Sequence, residues 1–536
     1  MRHLASILIT FLIASLIPAA IFAAETAEAT KKSPFIKSLQ ELVAILILLA
    51  TVMFVVARLP KNKSISHAPA YERRRRWNWL ALGFIYAFLY MGRYNLTVSK
   101  YEFGKLNLMD TGDFGVIFGI GTLVYAFAFL INGPLTDRFG ARLSILTGAG
   151  GAIVANILLG IVSLEAVRSG GAIGPMGGVA NAIAEPFFHA FVGLRAFFGI
   201  SSGNTTASPL LPALSILYAV NMYFQAFGAV AIVKGNAPWF HVDERGVFGG
   251  IFGILISLGV YFAYDWNGLL LHVFKGQIQL VFFVPAAILA VVFLIGLVVI
   301  RNSPAEAGFR NFLTGDATAG EDDKPSNPIR VFAMMFKNPI IMTIAAIEFC
   351  SGFLRQAIMQ WGYVYGKATG LKEIFVMQHW GLLLCCAGIL GGMFAGTISD
   401  HLFESRRAPV AAVLYAGMVA GSLIMCLLIG NTMLMWVIIL MSLAIIGVHG
   451  MLSGTMSMDF GGAKNAGIAV GIIDGAVYLG TAAMSFLYAW RLPEGDKAKD
   501  SANWSEWPLW MIPLAVIGLV LAYCIRNAKP EGKGAH

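Results

Sequence analysis

Charge is scarce in this sequence. Asp, Glu, Lys and Arg make up 12% of its 536 residues, about half the share of a soluble protein. Polar stretches long enough for a separate soluble domain are also missing, because roughly fourteen apolar runs occupy most of the chain, each near the ~20 residues that cross a bilayer as a helix. Cysteine is sparse too. Cys350, Cys385, Cys386, Cys426 and Cys524 all fall inside apolar runs, without a CxxC or Cys/His ligand pattern, so neither a disulfide framework nor a metal site is implied. HExxH, P-loop and dinucleotide fingerprints are absent, which argues against an enzyme and against a bound cofactor. What remains is an all-α membrane protein, 58% apolar.

The net charge of +9 sits in loops rather than on one patch, and no nucleic-acid partner is expected. Residues 1–24 open with Arg2 and His3, continue apolar to Ala20 and end in IFAAETA, the layout of a signal-like segment, although an uncleaved first helix has the same pattern. Residues 25–76 then supply an extra N-terminal helix at about 39–57 and a basic linker with Arg58, Lys61, Lys63 and Arg73 to Arg76. That basic linker is expected to stay in the cytoplasm.

Twelve spans follow, near 77–99, 114–133, 143–163, 210–234, 246–264, 278–300, 339–362, 379–399, 408–429, 433–457, 466–489 and 508–525. The polar linker 301–338, with GDATAGEDDKPSNP, divides them into a six-helix half at 77–300 and another at 339–526, before a tail at 527–536. Counted by segment, about 23 Lys and Arg fall on the expected cytoplasmic side and about 13 outside. The expected setting is a multi-pass bacterial inner-membrane protein, a monomer whose partners are the bilayer and a small anion. Residues 164–209 form an insertion in which FFHAFVGLRAFFGI (187–200) is too short to span and fits an outer-face interfacial or re-entrant helix.

The two halves repeat one another. GPLTDRFGAR after the second span (Gly133, Asp137, Arg138, Gly140, Arg142) has a counterpart in GTISDH after the eighth (Gly396, Asp400), followed by Arg406 and Arg407. Glycine permits close helix contact, and an Asp–Arg pair at such a turn can latch neighbouring helices. Arg93 lies 44 residues before Asp137, and Arg355 lies 45 before Asp400. The arginines therefore occupy equivalent positions of a duplicated unit, where parallel repeats place a substrate site near midplane. A weaker match joins Glu244-Arg245-Gly246 to Lys464-Asn465-Ala466-Gly467.

An arginine at membrane depth costs about 2.5–3.5 kcal/mol on insertion scales, and two would repel one another across a cavity. An anion between them offsets both effects, and the guanidinium fork suits phosphate or carboxylate. A permanent structural carboxylate is the alternative, with Glu348 seven residues before Arg355 and Asp474 in the eleventh span as candidates. The same two acids could bind a coupling proton. His449 stands alone in the tenth span and reads as a satisfied interior residue. Tyr90, Tyr94, Trp361 and Tyr365 are candidate cavity-lining aromatics.

The loop GPLTDRFGAR resembles the signature loop of the major facilitator superfamily. YMGRYN (90–95), WFHVDERGVFGGIFG (239–253), FLRQAIMQW (353–361) and GGAKNAGIAVGIIDGAVYLG (461–480) resemble its organophosphate:phosphate antiporters. The resemblance implies a major facilitator fold of twelve helices and an alternating-access carrier whose first-span and seventh-span arginines clasp a substrate phosphate. By motif these are Arg93 and Arg355, with Tyr90 and Trp361 at further family positions. The chain departs from the family at Tyr94, where lysine is usual, and from its glycerol-phosphate branch at Phe129, where that branch has lysine, and at Pro238, where it has histidine; a less basic site follows. A proton-coupled carboxylate or organic-anion symporter, or a transporter-like sensor of sugar phosphate, are the other readings.

Overall fold

The computed structural model describes residues 67–197, 208–241, 255–311, 327–402 and 407–527, with isolated positions 40, 43 and 46; side chains at 188–197, 393–394, 396–402 and 454–466 are outside that description. The signal-like segment, nearly all of the run at 39–57, Arg58, Lys61 and Lys63, residues 315–326 of the GDATAGEDDKPSNP stretch, Glu244-Arg245-Gly246, Arg406 and the Asp400 and Lys464 side chains therefore lie outside the described residues.

Every regular element among the described residues is helical. The first half of the chain supplies α1 (Pro69–Lys105), α2 (Thr111–Phe139), α3 (Ala141–Arg168), α4 (Pro175–Phe197), α5 (Leu211–Asn236), a π-helical turn (Phe262–Trp266) running into α6 (Asn267–Val273), and α7 (Leu280–Val299). The second half supplies α8 (Pro328–Lys337), α9 (Pro339–Met359), α10 (Trp361–Ala368), α11 (Trp380–Leu402), α12 (Arg407–Leu427), α13 (Met433–His449), a π-helical turn (Gly450–Met456), α14 (Ser457–Arg491) and α15 (Met511–Cys524). Nine helices among the described residues are long and apolar enough to cross a membrane. The other three expected spans correspond to α1, to the described stretch from residue 255 through α6, and to α11.

Local signals account for the helix starts. Asp110 accepts from the Asp113 backbone N–H (2.6 Å) in a reciprocal cap on α2, and Asn338 caps Ile340 and Ile341 ahead of Pro339 at the start of α9. Such caps satisfy amides that would otherwise lack partners at the helix end. Gly140, with φ +85°, turns the chain between α2 and α3. The face carrying Arg73 to Arg76, Arg138 and Arg142 is called the basic face below. There the arginine block also cements helix ends, since Arg74 donates to the Val299 carbonyl (2.6 Å) and Arg75 lies over Phe240 (4.6 Å).

The insertion differs from expectation in extent. It forms a regular helix, α4, that begins at Pro175, well before the apolar piece at 187–200. The cause is a cap read over distance: Glu165 accepts from the Met176 and Gly177 amides (3.1–3.2 Å). Asn181 then ties α4 to α5 through the Pro209 carbonyl and the Ala213 amide. The π-helical turns in the fifth and tenth spans were not expected either, because apolar periodicity does not register one extra residue in a turn.

The halves meet along α2 and α14. Small residues allow the approach. A Cβ on Gly133 would lie 2.5 Å from the Gly467 carbonyl oxygen, and one on Gly471 would lie 2.7 Å from that of Phe129. Contact of this kind, backbone against backbone, is how helices associate where water supplies no driving force.

Candidate functional site

Arg93 is 1% exposed and Arg355 4%, so both guanidinium groups are enclosed by protein. Arg93 uses its whole fork on neutral acceptors. Nε donates to Gln225 Oε1 (3.0 Å), Nη1 to the Tyr478 hydroxyl (3.0 Å) and Nη2 to the Tyr125 hydroxyl (2.7 Å). Its Cζ lies 4.4 Å from the Tyr90 ring centroid and 4.7 Å from that of Tyr125, and desolvated cation–π contacts of this sort are worth up to about 2 kcal/mol. Arg355 shares one of these acceptors: its Nη2 donates to Tyr478 (3.5 Å), while its Nε has no hydrogen-bond partner among the described residues. One hydroxyl from α14 thus stands between the two cations, and among the described residues no carboxylate lies within ion-pair distance of either.

An amide chain sets the position of Gln225. Gln225 donates to Asn221 (3.2 Å), which also accepts from Asn156 (3.0 Å), which in turn accepts from Asn95 (2.6 Å). These links join α5, α3 and α1 behind Arg93. Asn221 also donates to the Gly92 carbonyl and Tyr218 to that of Arg93 (both 2.9 Å), holding the backbone that carries the cation. Opposite this chain the wall is aromatic. Phe129 stacks on Tyr478 at 5.6 Å and meets Tyr125 edge-on at 4.8 Å.

The structure brings Arg93, Tyr90, Tyr94 and Arg355 together. Tyr94 stacks on Tyr90 (5.9 Å), and its hydroxyl accepts from Gln356 Nε2 (2.7 Å) across the seam between halves. A second rung beyond it joins Gln360 Nε2 to Thr97 Oγ1 (3.0 Å). Trp361 is fully buried, but its ring meets Phe114 and Tyr488 rather than either arginine. Tyr365 packs between Trp504 and Trp507, away from the pair. Glu348 does not neutralise Arg355. The seven-residue offset sets it about 10 Å lower on the helix, where its Oε2 lies 3.1 Å from His449 Nδ1. His449 is thereby a partnered residue of the interior. Asp474 accepts a short hydrogen bond from Ser453.

The signature loop latches differently from the expected Asp–Arg pair. Asp137 binds Lys234 on α5 (2.8 Å) and accepts from the Gly467 and Ile468 amides of α14 (3.2 and 3.1 Å). Arg138, one residue on and about 100° round the helix, turns outward over Phe139 (5.4 Å), and Arg142 donates to the Leu297 carbonyl (2.8 Å). The carboxylate therefore joins the two halves directly, beside the Gly133–Gly467 contact.

Tyr125, Gln225 and Tyr478 escaped the sequence reading. Tyr478 lies inside a quoted motif, and Gln225 is a lone amide in an apolar helix, which is a signal in itself.

A sequence model described as the Major Facilitator Superfamily matches residues 82–485. The chain belongs to the Major Facilitator Superfamily. This membership makes it a multi-pass membrane protein of transporter type, of the inner-membrane kind. Similar curated proteins are bacterial. They include a glycerol-3-phosphate transporter of Bacillus subtilis, 24% identical over 477 residues that cover 84% of this chain and 92% of the relative. The membrane sensor protein UhpC of Salmonella typhimurium is 22% identical, covering 66% of this chain and 71% of the relative. A probable hexose phosphate transport protein of Chlamydia trachomatis is 22% identical, covering 67% and 80%. These relatives match the organophosphate:phosphate antiporter type. Among solved structures, the nucleoside transporter NupG superposes with a TM-score of 0.50 at 14% identity, over 83% of this chain and 98% of that one, a likeness of fold.

Proposed function

We propose that this major facilitator protein carries an organophosphate or sugar phosphate in exchange for inorganic phosphate, with Arg93 and Arg355 as the anion-binding pair. The observation that carries the reading is the pair's company. Two enclosed guanidinium groups from equivalent positions have, among the described residues, only an amide and two phenols as hydrogen-bond partners. Two cations in a low-dielectric interior repel one another strongly, and a doubly charged anion offsets that repulsion and supplies acceptors in the planar geometry a guanidinium prefers. Tyr478 then yields its place between the two forks to the anion. Tyr90 and Tyr94 line the same space.

The placement of the pair supports alternating access. Arg93 belongs to one half and Arg355 to the other, so a bound anion draws the halves together, and the ligand shifts the balance of states only through its different affinities for them. In this reading the rungs Tyr94–Gln356 and Thr97–Gln360 close the face away from the basic block, and Asp137 with α14 closes the basic face. Exchange needs no further coupling group, because reorientation of the loaded carrier is the favoured step.

The test is counterflow in proteoliposomes loaded with unlabelled phosphate, with uptake of labelled phosphate followed for wild type, Arg93→Lys and Arg355→Lys. Exchange by the wild type that both substitutions abolish supports the reading. Absence of exchange in folded wild-type protein overturns it. The names of the sensor relatives give a second reading, in which the same pair binds a sugar phosphate to signal; phosphate-ester binding without exchange selects it.

A further inference from the structure

The anion site leaves unused a second set of buried ionisable groups. Glu348 (α9) is 0% exposed, His449 (the end of α13) 4% and Asp474 (α14) 3%. Glu348 Oε2 lies 3.1 Å from His449 Nδ1, and Glu348 Oε1 is buried with no hydrogen-bond partner among the described residues. Asp474 takes its short bond from Ser453, in the π-helical turn that follows His449. A half-satisfied buried carboxylate of this kind is costly as an anion, and nothing in the binding of an anion between the arginines accounts for it.

The two sites share their helices. Seven residues separate Glu348 from Arg355 on α9, and four separate Asp474 from Tyr478 on α14, so each carboxylate lies on the same helix face as a member of the arginine site. The charge balance links them further. With His449 neutral, two carboxylates match two guanidinium groups. A dianion between the arginines then leaves the interior at −2, and one proton on the cluster halves that excess.

We propose that Glu348, His449 and Asp474 form a proton-binding site that fills as an anion binds between Arg93 and Arg355; this rests on the anion reading of that pair. The proton comes from water on loading and returns to it on unloading. It resides on the Glu348–His449 pair, as imidazolium against carboxylate with the second acid, Asp474, alongside. Exchange of anions of unequal charge then proceeds without stranding charge in the membrane. By linkage, proton and anion each raise the other's affinity by the same factor. The described titratable or charged groups around the cluster are Cys350 and Arg355 on α9, Tyr415 on α12, whose hydroxyl donates to the Ile347 carbonyl (2.6 Å), Tyr478 on α14, and Arg93 and Tyr125 from the other half. The described side chains of α11 carry no charge.

The experiment is calorimetry of inorganic phosphate binding to the full-length protein in detergent, in two buffers of different ionisation enthalpy. It compares wild type with Glu348→Gln, His449→Gln and the double variant, which removes both members of the buried pair if a single variant fails to fold. Phosphate's own titration is common to all, so the difference in proton count isolates the cluster. The expected result is up to about one more proton taken up per phosphate by wild type, with the variants still binding. Equal proton counts overturn the proposal, as does loss of phosphate binding by folded variants, which would make the cluster part of the anion site. If wild type binds no phosphate, the anion reading fails, and with it the link between the two sites. Infrared difference spectra of the ligand-free protein between about pH 5 and pH 8 then decide whether the cluster binds a proton at all. A carboxyl band removed by Glu348→Gln or Asp474→Asn keeps the proton site, and spectra unchanged by both overturn it.

Discussion

Tyr94 and Gln356 occupy equivalent positions of the two halves and are hydrogen-bonded to each other, 2.7 Å apart and 262 residues distant in sequence. Arg93 and Arg355, one residue before each, have the same separation. The pseudo-two-fold axis relating the halves therefore passes between Tyr94 and Gln356, one step from the arginines. Tyr94 is also where the family resemblance leads one to expect lysine. A cation there would add to the charge around the pair, whereas a phenol gives Gln356 an acceptor. Both glutamines of the rungs leave Oε1 without a partner among the described residues, so the closure is one of modest strength.

Loss of either member of this rung opens that end. Tyr94→Phe or Gln356→Leu leaves the other polar group buried and unpaired, at about 1–2 kcal/mol, a shift of roughly 5- to 30-fold toward the state open away from the basic face. Spin labels at Lys105 and Lys372 measure it as a longer distance population. The double variant recovers part of the loss, since the two effects are not additive. Unchanged distances in both single variants would exclude a gating role.

Tyr478→Phe removes the hydroxyl that both arginines share. The ligand-free protein should melt lower by about 1–3 °C, and the stabilisation on adding phosphate should grow, because the anion now provides the missing acceptor. A smaller phosphate shift would mean that the hydroxyl binds the anion directly.

Glycines within a half and between halves should differ in kind. A Cβ on Gly352 would overlap the Val477 carbonyl, and one on Gly480 that of Phe349, both at the α9–α14 contact inside the second half. Alanine at either is expected to cost about 1–3 kcal/mol or more through overpacking and to lower the yield of folded protein. Gly133→Ala presses on Gly467 across the seam instead. It should leave the protein folded while favouring the state open at the basic face, seen as faster alkylation of a cysteine placed at Ile468.

Asp137 and Arg138 are adjacent in the signature loop but unequal in contact. Asp137→Asn loses the Lys234 ion pair and weakens the hold on the Gly467 and Ile468 amides, so exchange should fall about tenfold or more, near the 1.4 kcal/mol that a factor of ten represents. Arg138→Ala should change exchange less than twofold, as exposed charges contribute little. Initial rates at equal protein incorporation compare them.

The legible part of this molecule was whatever repeats. Duplication located Arg93 and Arg355 and paired Gly133 with Asp137, because a feature repeated at the same interval stands out from apolar background. What closes around those residues does not repeat. Tyr125, Gln225 and Tyr478 come from three helices and meet at Arg93 only after packing, and Lys234 reaches Asp137 from 97 residues away. Trp361 kept its motif position, yet helix rotation at the α9–α10 break sets its ring toward Phe114 and Tyr488. Glu348 shows the same limit from the other side: shared helix face was readable, but the His449 partner was not.

The chain stays with the first half through Arg301, whose amide binds Asn78 (2.8 Å), and Phe309, which packs edge-on against Tyr71 (5.6 Å). It rejoins the second half at α8, where Val331 and Met335 sit among Ile341, Ala345, Ile468 and Ile472. About 15 residues intervene, enough to reach roughly 50 Å at full extension. A tie of that length limits separation only beyond about 50 Å, so within it the contacts made and broken along the seam set how far one half can travel against the other.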